Sequence, residues 1–360
     1  MKIIGAGLIT VDIVQFCDSR WRPKVVTPFY TAGGTVGNIL SYLAAFGYDC
    51  SIAGIVGQDE MAVVLKQDLR TFGVNTDQLM VRSEVSTRRI EHLISVEGRN
   101  RGTHKFLMRC FGCKQHFPKV PAPGEVDVRI DERLGAKTLL VIDRANTFTL
   151  ELARRTASRK GLVMFEPGHL PKQSNIISRL MRHVDILKYS EELIKREERF
   201  KEILLKKRPR LRLIIETRGK GGVKLTLPHR KREIRLNTTY KTRDMNVLDA
   251  SGAGDAFTAG FLINLGLKGL RNIDGLENER LEAAINHGQA MGALACLFYG
   301  SKGLLYAKTE EDIKGALKSI IRSRTLPAGF DETRRMNLKK FRSTRDDICK
   351  VCRLRQSRPI

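Results

Sequence analysis

The 360-residue chain has few acidic residues for its size and no long apolar run. It carries 39 Asp and Glu against 64 Lys and Arg, a formal net charge of +25 at pH 7. No stretch approaches roughly eighteen uninterrupted apolar residues, which excludes a membrane-spanning helix. The N-terminal segment MKIIGAGLITVDIV lacks the basic region, apolar block and cleavage site of a signal peptide. We therefore expect a cytoplasmic protein with no membrane partner.

The composition is otherwise that of a folded protein with a basic excess. Hydrophobic residues make up 42% and charged residues 29%, which suits roughly two domains or one large α/β domain with an appendage. The excess of cations favours an anionic ligand, nucleic acid or an acidic surface, and a generally basic proteome is the alternative explanation. No motif supports nucleic acid. The basic stretch 206–212 lacks interleaved aromatic residues and is typical of a solvated helix-to-strand connection.

Predicted strands and helices alternate in the first part of the chain. Residues 2–11 predict a buried strand that ends at Asp12, and residues 50–57 predict a second strand. Residues 34–46 and 60–73 place apolar side chains at helical spacing. This β-α-β-α order predicts a parallel sheet covered by helices.

The alternation pauses at residues 88–109 and then resumes. Polarity alternates there on both sides of a turn at 98–102, which predicts a β-hairpin. Later strands are predicted at 138–143, 161–167, 184–190 and 211–217, and later helices at 148–159, 174–182, 191–206, 253–266, 278–297 and 308–323. Residues 331–360 hold ten Lys and Arg against four Asp and Glu, which predicts an appended basic tail.

The most informative motif is DASGAGD at 249–255, which runs directly into an apolar helix. Its small residues allow a tight turn, so that several backbone N–H groups can face one anion at the helix N-terminus. Asp255 would repel a phosphate if its task were only to hold one. It is better suited to take a proton from a hydroxyl while the N–H groups stabilise phosphoryl charge. The alternative is a glycine-rich turn with an Asp that caps a helix.

Two other nucleotide-binding motifs are excluded. Gly5-Ala6-Gly7 is followed by Leu8-Ile9-Thr10, so the third glycine of a dinucleotide-binding fingerprint is missing. The pattern GxxxxGK[ST] does not occur, which excludes a P-loop kinase.

The chain resembles the ribokinase/PfkB family of small-molecule kinases from residue 1 to about 305. The resemblance rests on three motifs that occur in the family's order. They are Gly33-Gly34 with Asn38, an Ala-rich helix, Gly54 and VGQD at 56–59; TRGKGG at 217–222; and DASGAGD with Ala256-Phe257 and Gly260-Phe261. Three ordered motifs are far more specific than any one of them.

The resemblance implies a role for each matched residue. Asp255 would be the catalytic base, and the backbone of Gly252, Ala253 and Gly254 would form the anion hole. The residues that would bind substrate hydroxyls are Asp12, Gly33, Gly34 and Asn38. The residues that would border the ATP phosphates are Thr217, Gly219 and Gly222, with Asn286 near the adenine.

Two segments would form a lid over the sugar. They cover residues 12–34 and 88–109, and a homodimer that shares the lid is one arrangement the resemblance allows. A lid excludes water, which would otherwise accept the phosphoryl group.

The magnesium-associated NxxE motif of the family departs from its pattern here. The corresponding residues read Ser190-Glu191-Glu192-Leu193, with Ser for Asn and Leu where Glu is expected. Glu192 is the candidate substitute ligand for Mg²⁺, one position early. The family's Asp-Pro-Asn-like turn reads Glu166-Pro167-Gly168, and Asp143 ends a predicted strand, where it contacts substrate or caps the next helix.

Four of the seven cysteines form two CxxC pairs, Cys110 with Cys113 and Cys349 with Cys352. Two such pairs can bind one tetrahedral Zn²⁺, which would fasten the tail to the segment after the hairpin. The long separation of the pairs is unlike a zinc ribbon, so chance spacing of thiols is the competing interpretation.

We therefore predict an α/β, ribokinase-like three-layer fold with a mostly parallel central sheet and a small β lid. Residues 1–305 would be the kinase core and residues 306–360 a basic extension with a CxxC pair. The expected activity is ATP-dependent phosphorylation of a hydroxyl on a sugar or related small molecule, with ATP and Mg²⁺ as cofactors. The alternatives are a nucleoside kinase, or a non-catalytic ligand sensor whose basic tail binds nucleic acid or a protein.

Overall fold

Two sheets of unequal size organise the chain in the computed structural model. The structure describes residues 2–22, 24, 29–111, 113–117, 134–168, 174–196, 210–237, 247–327 and 329–330. Among these residues, no helix is both long enough and apolar enough to cross a membrane.

Among the described residues, the larger sheet contains nine strands. They are β1 (Lys2–Ala6), β4 (Asp49–Gly57), β5 (Leu79–Arg82), β8 (Thr138–Ile142), β9 (Leu162–Phe165), β10 (Ile186–Ser190), β11 (Leu213–Thr217), β12 (Val223–Leu227) and β13 (Arg232–Leu236). Their order is β13-β12-β11-β10-β9-β8-β1-β4-β5. Only β12 and β13 run antiparallel to their neighbours, which confirms the mostly parallel sheet.

Helices cover both faces of this sheet. They are α1 (Thr35–Ala45), α2 (Glu60–Thr71), α3 (Thr147–Ser158), α4 (Ser174–Leu180), α5 (Glu191–Arg196), α6 (Ala253–Arg271), α7 (Asn278–Ala295), α8 (Gly303–Ala307) and α9 (Glu310–Ser323). Successive side chains of β8 enter opposite cores: Leu139 packs in the core that includes α1, α6 and α7, and Leu140 in the core that includes α3 and α4. Strands that are buried on both faces read as continuous apolar runs, and the three-layer prediction is confirmed.

The smaller sheet has the order β3-β2-β6-β7. Its strands are β2 (Thr10–Cys17), β3 (Phe29–Gly33), β6 (Arg89–Ser95) and β7 (His104–Leu107). The predicted hairpin is β6 and β7, which pair antiparallel. Strand β2 pairs with β6 in parallel, so both predicted lid segments contribute strands to one sheet.

The prediction of a single strand over 2–11 is wrong. The chain leaves the larger sheet after Ala6 and enters the smaller one at Thr10. Gly7 lies between the two strands and packs against Asp143. A Cβ added at Gly7 would lie 1.9 Å from Asp143 Oδ1. Apolar periodicity alone does not reveal the break, because both strands are buried.

The structure describes one of two predicted helices in the C-terminal half in full and the other only in part. The helix expected at 308–323 is present as α9, whose N-cap Thr309 and Asp312 form a capping box. The helix expected at 191–206 begins as α5, and residues 197–209 lie outside the described part. The basic tail 331–360 also lies outside it.

Candidate active site

Asp255 lies in the first turn of α6, and the turn before it can be made only by a glycine. Gly252, the N-cap residue, has φ 71° and ψ −1° in the left-handed region. A Cβ there would lie 2.6 Å from the Cα and carbonyl oxygen of Ser301. Ala253 and Gly254 follow in the same first turn, where the backbone N–H groups have no partners within the helix. The N-terminus of this helix is therefore suited to an anion.

The early and late motifs meet at Asp255. Asn38, buried on α1, donates a hydrogen bond from Nδ2 to Asp255 Oδ2 at 2.7 Å, across 217 residues of sequence. The other amide atom of Asn38, Oδ1, is buried and has no hydrogen-bond partner among the described residues. This oxygen can accept a hydrogen bond from a hydroxyl beside the Asp255 carboxylate.

Asp255 is an unusually strong base for a carboxylate. Burial, reinforced by the negative charge of Glu166, raises the pKa of Asp255 to about 8. Asn38 and Lys188 oppose this increase. A carboxylate with a pKa near the working pH is suited to general base catalysis.

A buried polar network contacts the first turn of α6. Lys188 of β10 pairs with the Glu166 carboxylate, and its Nζ donates to the Gly254 carbonyl at 3.1 Å. Thr258 of α6 donates to Glu166 Oε2 at 2.7 Å. The Asp-Pro-Asn-like turn therefore provides a carboxylate that anchors α6.

The predicted substrate residues converge at the start of the smaller sheet. Asp12 is 4% exposed and accepts a hydrogen bond from Thr10 Oγ1 at 2.9 Å. Burial raises the pKa of Asp12 to about 6. A Cβ at Gly33 would lie 2.1 Å from Asp12 Oδ1, and one at Gly34, where φ is 89°, would lie 2.1 Å from the Leu8 carbonyl oxygen. The two glycines thus allow close approach of the backbone beside Asp12.

Asp143 lies against the same region, at the end of β8. Its Oδ1 accepts the backbone N–H of Leu8 at 2.7 Å. Its Oδ2 is buried without a hydrogen-bond partner among the described residues, and burial raises the pKa of this carboxyl. Asp143 therefore fixes the backbone at Leu8, where the chain passes from the larger sheet to the smaller one. It does not cap α3, because the N-cap of that helix is Asn146.

The predicted ATP residues lie on two other elements. Thr217 ends β11, and the 3₁₀ turn Gly219–Gly221 follows it. Gly222 has φ 84°, and a Cβ there would lie 2.0 Å from the Leu236 carbonyl oxygen, so this turn also requires glycine. Asn286 is half-buried on α7, which packs directly on α6.

Two predicted metal sites receive no further support. Glu192 is exposed in the first turn of α5. Cys110 and Cys113 lie in the turns after β7, whereas Cys349 and Cys352 lie outside the described residues. The four-cysteine zinc site and the Glu192 magnesium site stay predictions.

In the described part of the basic stretch, Arg210 pairs with Asp185 and Arg212 with Asp274.

Sequence reasoning missed several polar residues near the site. Lys188 interrupts the apolar start of β10, and this was the available signal, whereas β6 carries Arg89, Glu91 and Ser95 besides His92 and gives no such signal. His92 of β6, His104 of β7 and Asp249 each offer one ligand atom, and the three atoms lie within 4.8 Å of one another. Burial lowers the pKa of His92 to about 4, so its imidazole is neutral.

Comparison with known proteins gives consistent results. A model of the pfkB family carbohydrate kinases matches residues 2–305. Fructokinase of Escherichia coli is 24% identical over 331 residues, 86% of this chain and 97% of that protein.

Solved structures share the fold. Ribokinase from Giardia lamblia superposes with a TM-score of 0.66 at 15% identity, covering 88% of this chain and 99% of that one. Aminoimidazole riboside kinase from Salmonella enterica, complexed with aminoimidazole riboside and an ATP analogue, has a TM-score of 0.61 at 19% identity and covers 88% and 100%. With the family match over most of its length, the chain belongs to the pfkB family of carbohydrate kinases.

Proposed function

We propose that this protein transfers the γ-phosphoryl group of ATP to a hydroxyl of a sugar or a related small molecule, with Asp255 as the catalytic base. The observation that carries the proposal is the Asn38–Asp255 hydrogen bond at the N-terminus of α6. It brings together an amide suited to bind a hydroxyl, a carboxylate base and a helix N-terminus, and phosphorylation of an alcohol can use all three.

Asp255 would act on the acceptor hydroxyl. Its carboxylate takes the hydroxyl proton as the acceptor oxygen forms a bond to the γ-phosphorus, and the bond from that phosphorus to ADP breaks. Asn38 holds one carboxylate oxygen in place and offers Oδ1 to a neighbouring hydroxyl of the substrate. Asp12, which lies on β2, accepts hydrogen bonds from further hydroxyls of the substrate.

The amides of Gly252, Ala253 and Gly254 would stabilise the negative charge on the transferring group. They belong to a turn held by the α6 helix and by the Lys188–Gly254 hydrogen bond, so the donors are positioned before reaction. Preorganised donors do not lose energy by reorienting during the transfer.

Thr217, Gly219 and Gly222 would border the ATP phosphates, with Asn286 near the adenine. Gly222 fits this use because its turn leaves no room for a side chain. Mg²⁺ prefers carboxylate oxygens together with substrate phosphates, and the exposed Glu192 fits as a carboxylate ligand. When bound, the ion would neutralise charge on the phosphates.

The smaller sheet would serve as the lid. Its strand β2 carries Asp12, and a Cβ at Gly102, between β6 and β7, would lie 3.2 Å from the Val247 carbonyl oxygen. The hairpin thus lies against the segment that leads into the 249–255 turn. Closure over the acceptor would exclude water, which competes for the phosphoryl group.

The proposal is tested by ATP consumption with Mg²⁺ against a panel of sugars, sugar phosphates, sugar acids and nucleosides. We expect turnover with at least one compound and its loss in Asp255→Asn, with Asp49→Asn, an exposed carboxylate on β4, as the matched control. Turnover that persists in Asp255→Asn would refute the base assignment. Thermal-shift binding without turnover of any compound would favour the ligand sensor instead.

A further inference from the structure

A buried cluster of two imidazoles and one carboxylate lies beside the proposed active site and has no part in the proposed reaction. His92 is 0% exposed on β6, and His104 lies on the antiparallel partner strand β7. Asp249 is also 0% exposed and begins the 249–255 turn. These are the side chains that the structure brings together as a three-ligand group within its described residues.

The imidazole of His92 lacks hydrogen-bond partners among the described residues. Neither ring nitrogen of His92 has a hydrogen-bond partner in the described part of the chain, although both are buried. A buried polar group without a partner loses the hydrogen bonds it makes to water in the unfolded chain. His92 Nε2 faces Asp249 Oδ2 at 3.9 Å, which is too long for a hydrogen bond. A third group placed between them would satisfy the imidazole.

The spacing of the donor atoms suits a metal ion. His104 Nδ1 lies 3.3 Å from Asp249 Oδ1, and the three donor atoms lie within 4.8 Å of one another. Tetrahedral ligands at about 2.1 Å from Zn²⁺ are roughly 3.4 Å apart. Asp249 is held in place by the Ser251 and Gly300 backbone N–H groups at 2.9 and 2.8 Å. The carboxylate is therefore already oriented.

We propose that His92, His104 and Asp249 form a site for a divalent transition-metal ion, with Zn²⁺ as the best match. Imidazole nitrogen with one carboxylate oxygen selects zinc, cobalt, nickel or iron over magnesium, which prefers oxygen ligands alone. Three protein ligands leave a fourth position for water. This site differs from the four-cysteine arrangement predicted from the sequence, because no thiol takes part.

The ion would join two elements that the proposed reaction needs. His92 and His104 belong to the smaller sheet, and Asp249 begins the turn that contains Gly252 and Gly254. Bound metal would fasten this hairpin to the anion-hole turn and stabilise the folded protein. The metal binding itself does not depend on the proposed kinase activity.

The test uses the full-length protein, stripped with a chelator and titrated with Co²⁺ or Zn²⁺ in excess Mg²⁺, which occupies oxygen-only sites. We expect one equivalent of metal by elemental analysis after gel filtration and visible Co²⁺ absorption without thiolate charge-transfer bands. Substitution of a residue that only supports a ligand already weakens metal binding by about 10–100-fold. Loss of a ligand in His104→Gln should therefore weaken it by at least about 100-fold.

Cys110→Ser/Cys349→Ser is the matched control and should keep the full equivalent. His104 is partly exposed, so its replacement leaves the core intact, and circular dichroism of the metal-free variant checks this. His92→Gln provides a second, independent variant. The proposal is overturned if the wild type binds no Co²⁺ or Zn²⁺, if both His variants bind as the wild type does, or if binding is lost only in the cysteine variant.

Discussion

Replacing the proposed base should make the protein more stable as it becomes inactive. Burial and Glu166 raise the pKa of Asp255 from 3.8 to about 8. At 1.36 kcal/mol for each pKa unit, an ionised Asp255 destabilises the folded state by at most about 6 kcal/mol. The amide introduced by D255N carries no charge and can still accept the hydrogen bond from Asn38. Removal of such a charge typically raises the free energy of unfolding by about 2 kcal/mol, or Tm by about 3 °C for a chain of this length.

The gain in stability should depend on pH. Between pH 3.8 and about 8 the folded protein holds a proton on Asp255 that the unfolded chain has lost, so the stability of the wild type falls as pH rises. The difference between D255N and wild type should therefore grow across this window and stay constant above it. Below pH 3.8 the two proteins should be equally stable with respect to this group.

The assay is thermal or urea unfolding of both proteins at several pH values from 5 to 9, with Asp49→Asn as the control for removal of one exposed carboxylate. The reasoning is refuted if D255N and wild type differ by the same amount at every pH. It is also refuted if D255N is less stable at pH 9.

Three further predictions concern the same site. The kcat/KM of the wild type should rise about tenfold per pH unit up to about pH 8 and then level off, because Asp255 must be ionised to accept a proton; a flat pH profile would contradict this. Gly252→Ala should lower the free energy of unfolding by about 1–3 kcal/mol in urea and should reduce kcat. Gly315→Ala, where a Cβ meets nothing, should be neutral or stabilising. Equal effects of the two substitutions would contradict the steric argument. Lys188→Met should lower the free energy of unfolding by about 3 kcal/mol, because it leaves the Glu166 carboxylate buried without its cation. Adding Glu166→Gln to the same chain should restore part of that stability, and no recovery in the double variant would argue against the ion pair.

Local patterns in the sequence predicted the parallel sheet covered by helices, and the family resemblance added the small β lid. Alternating strand and helix periodicity identified the parallel sheet, and the 249–255 motif identified the helix N-terminus with Asp255. These features depend on residues that are neighbours in sequence, whose conformations and burial follow from spacing and side-chain type. The break at Gly7 was missed because two buried strands joined by a short turn have the same apolar pattern as one.

Contacts between distant segments were decided only by the tertiary structure. Asn38 and Asp255 are 217 residues apart, and Lys188 reaches the Gly254 carbonyl across 66 residues. The parallel pairing of β2 with β6 brings His92 into the smaller sheet, and the approach of that sheet to the 249–255 turn places it near Asp249. No periodicity encodes such distances, because strand order and sheet position determine them. The sequence therefore identified the separate motifs, and packing decided which side chains meet.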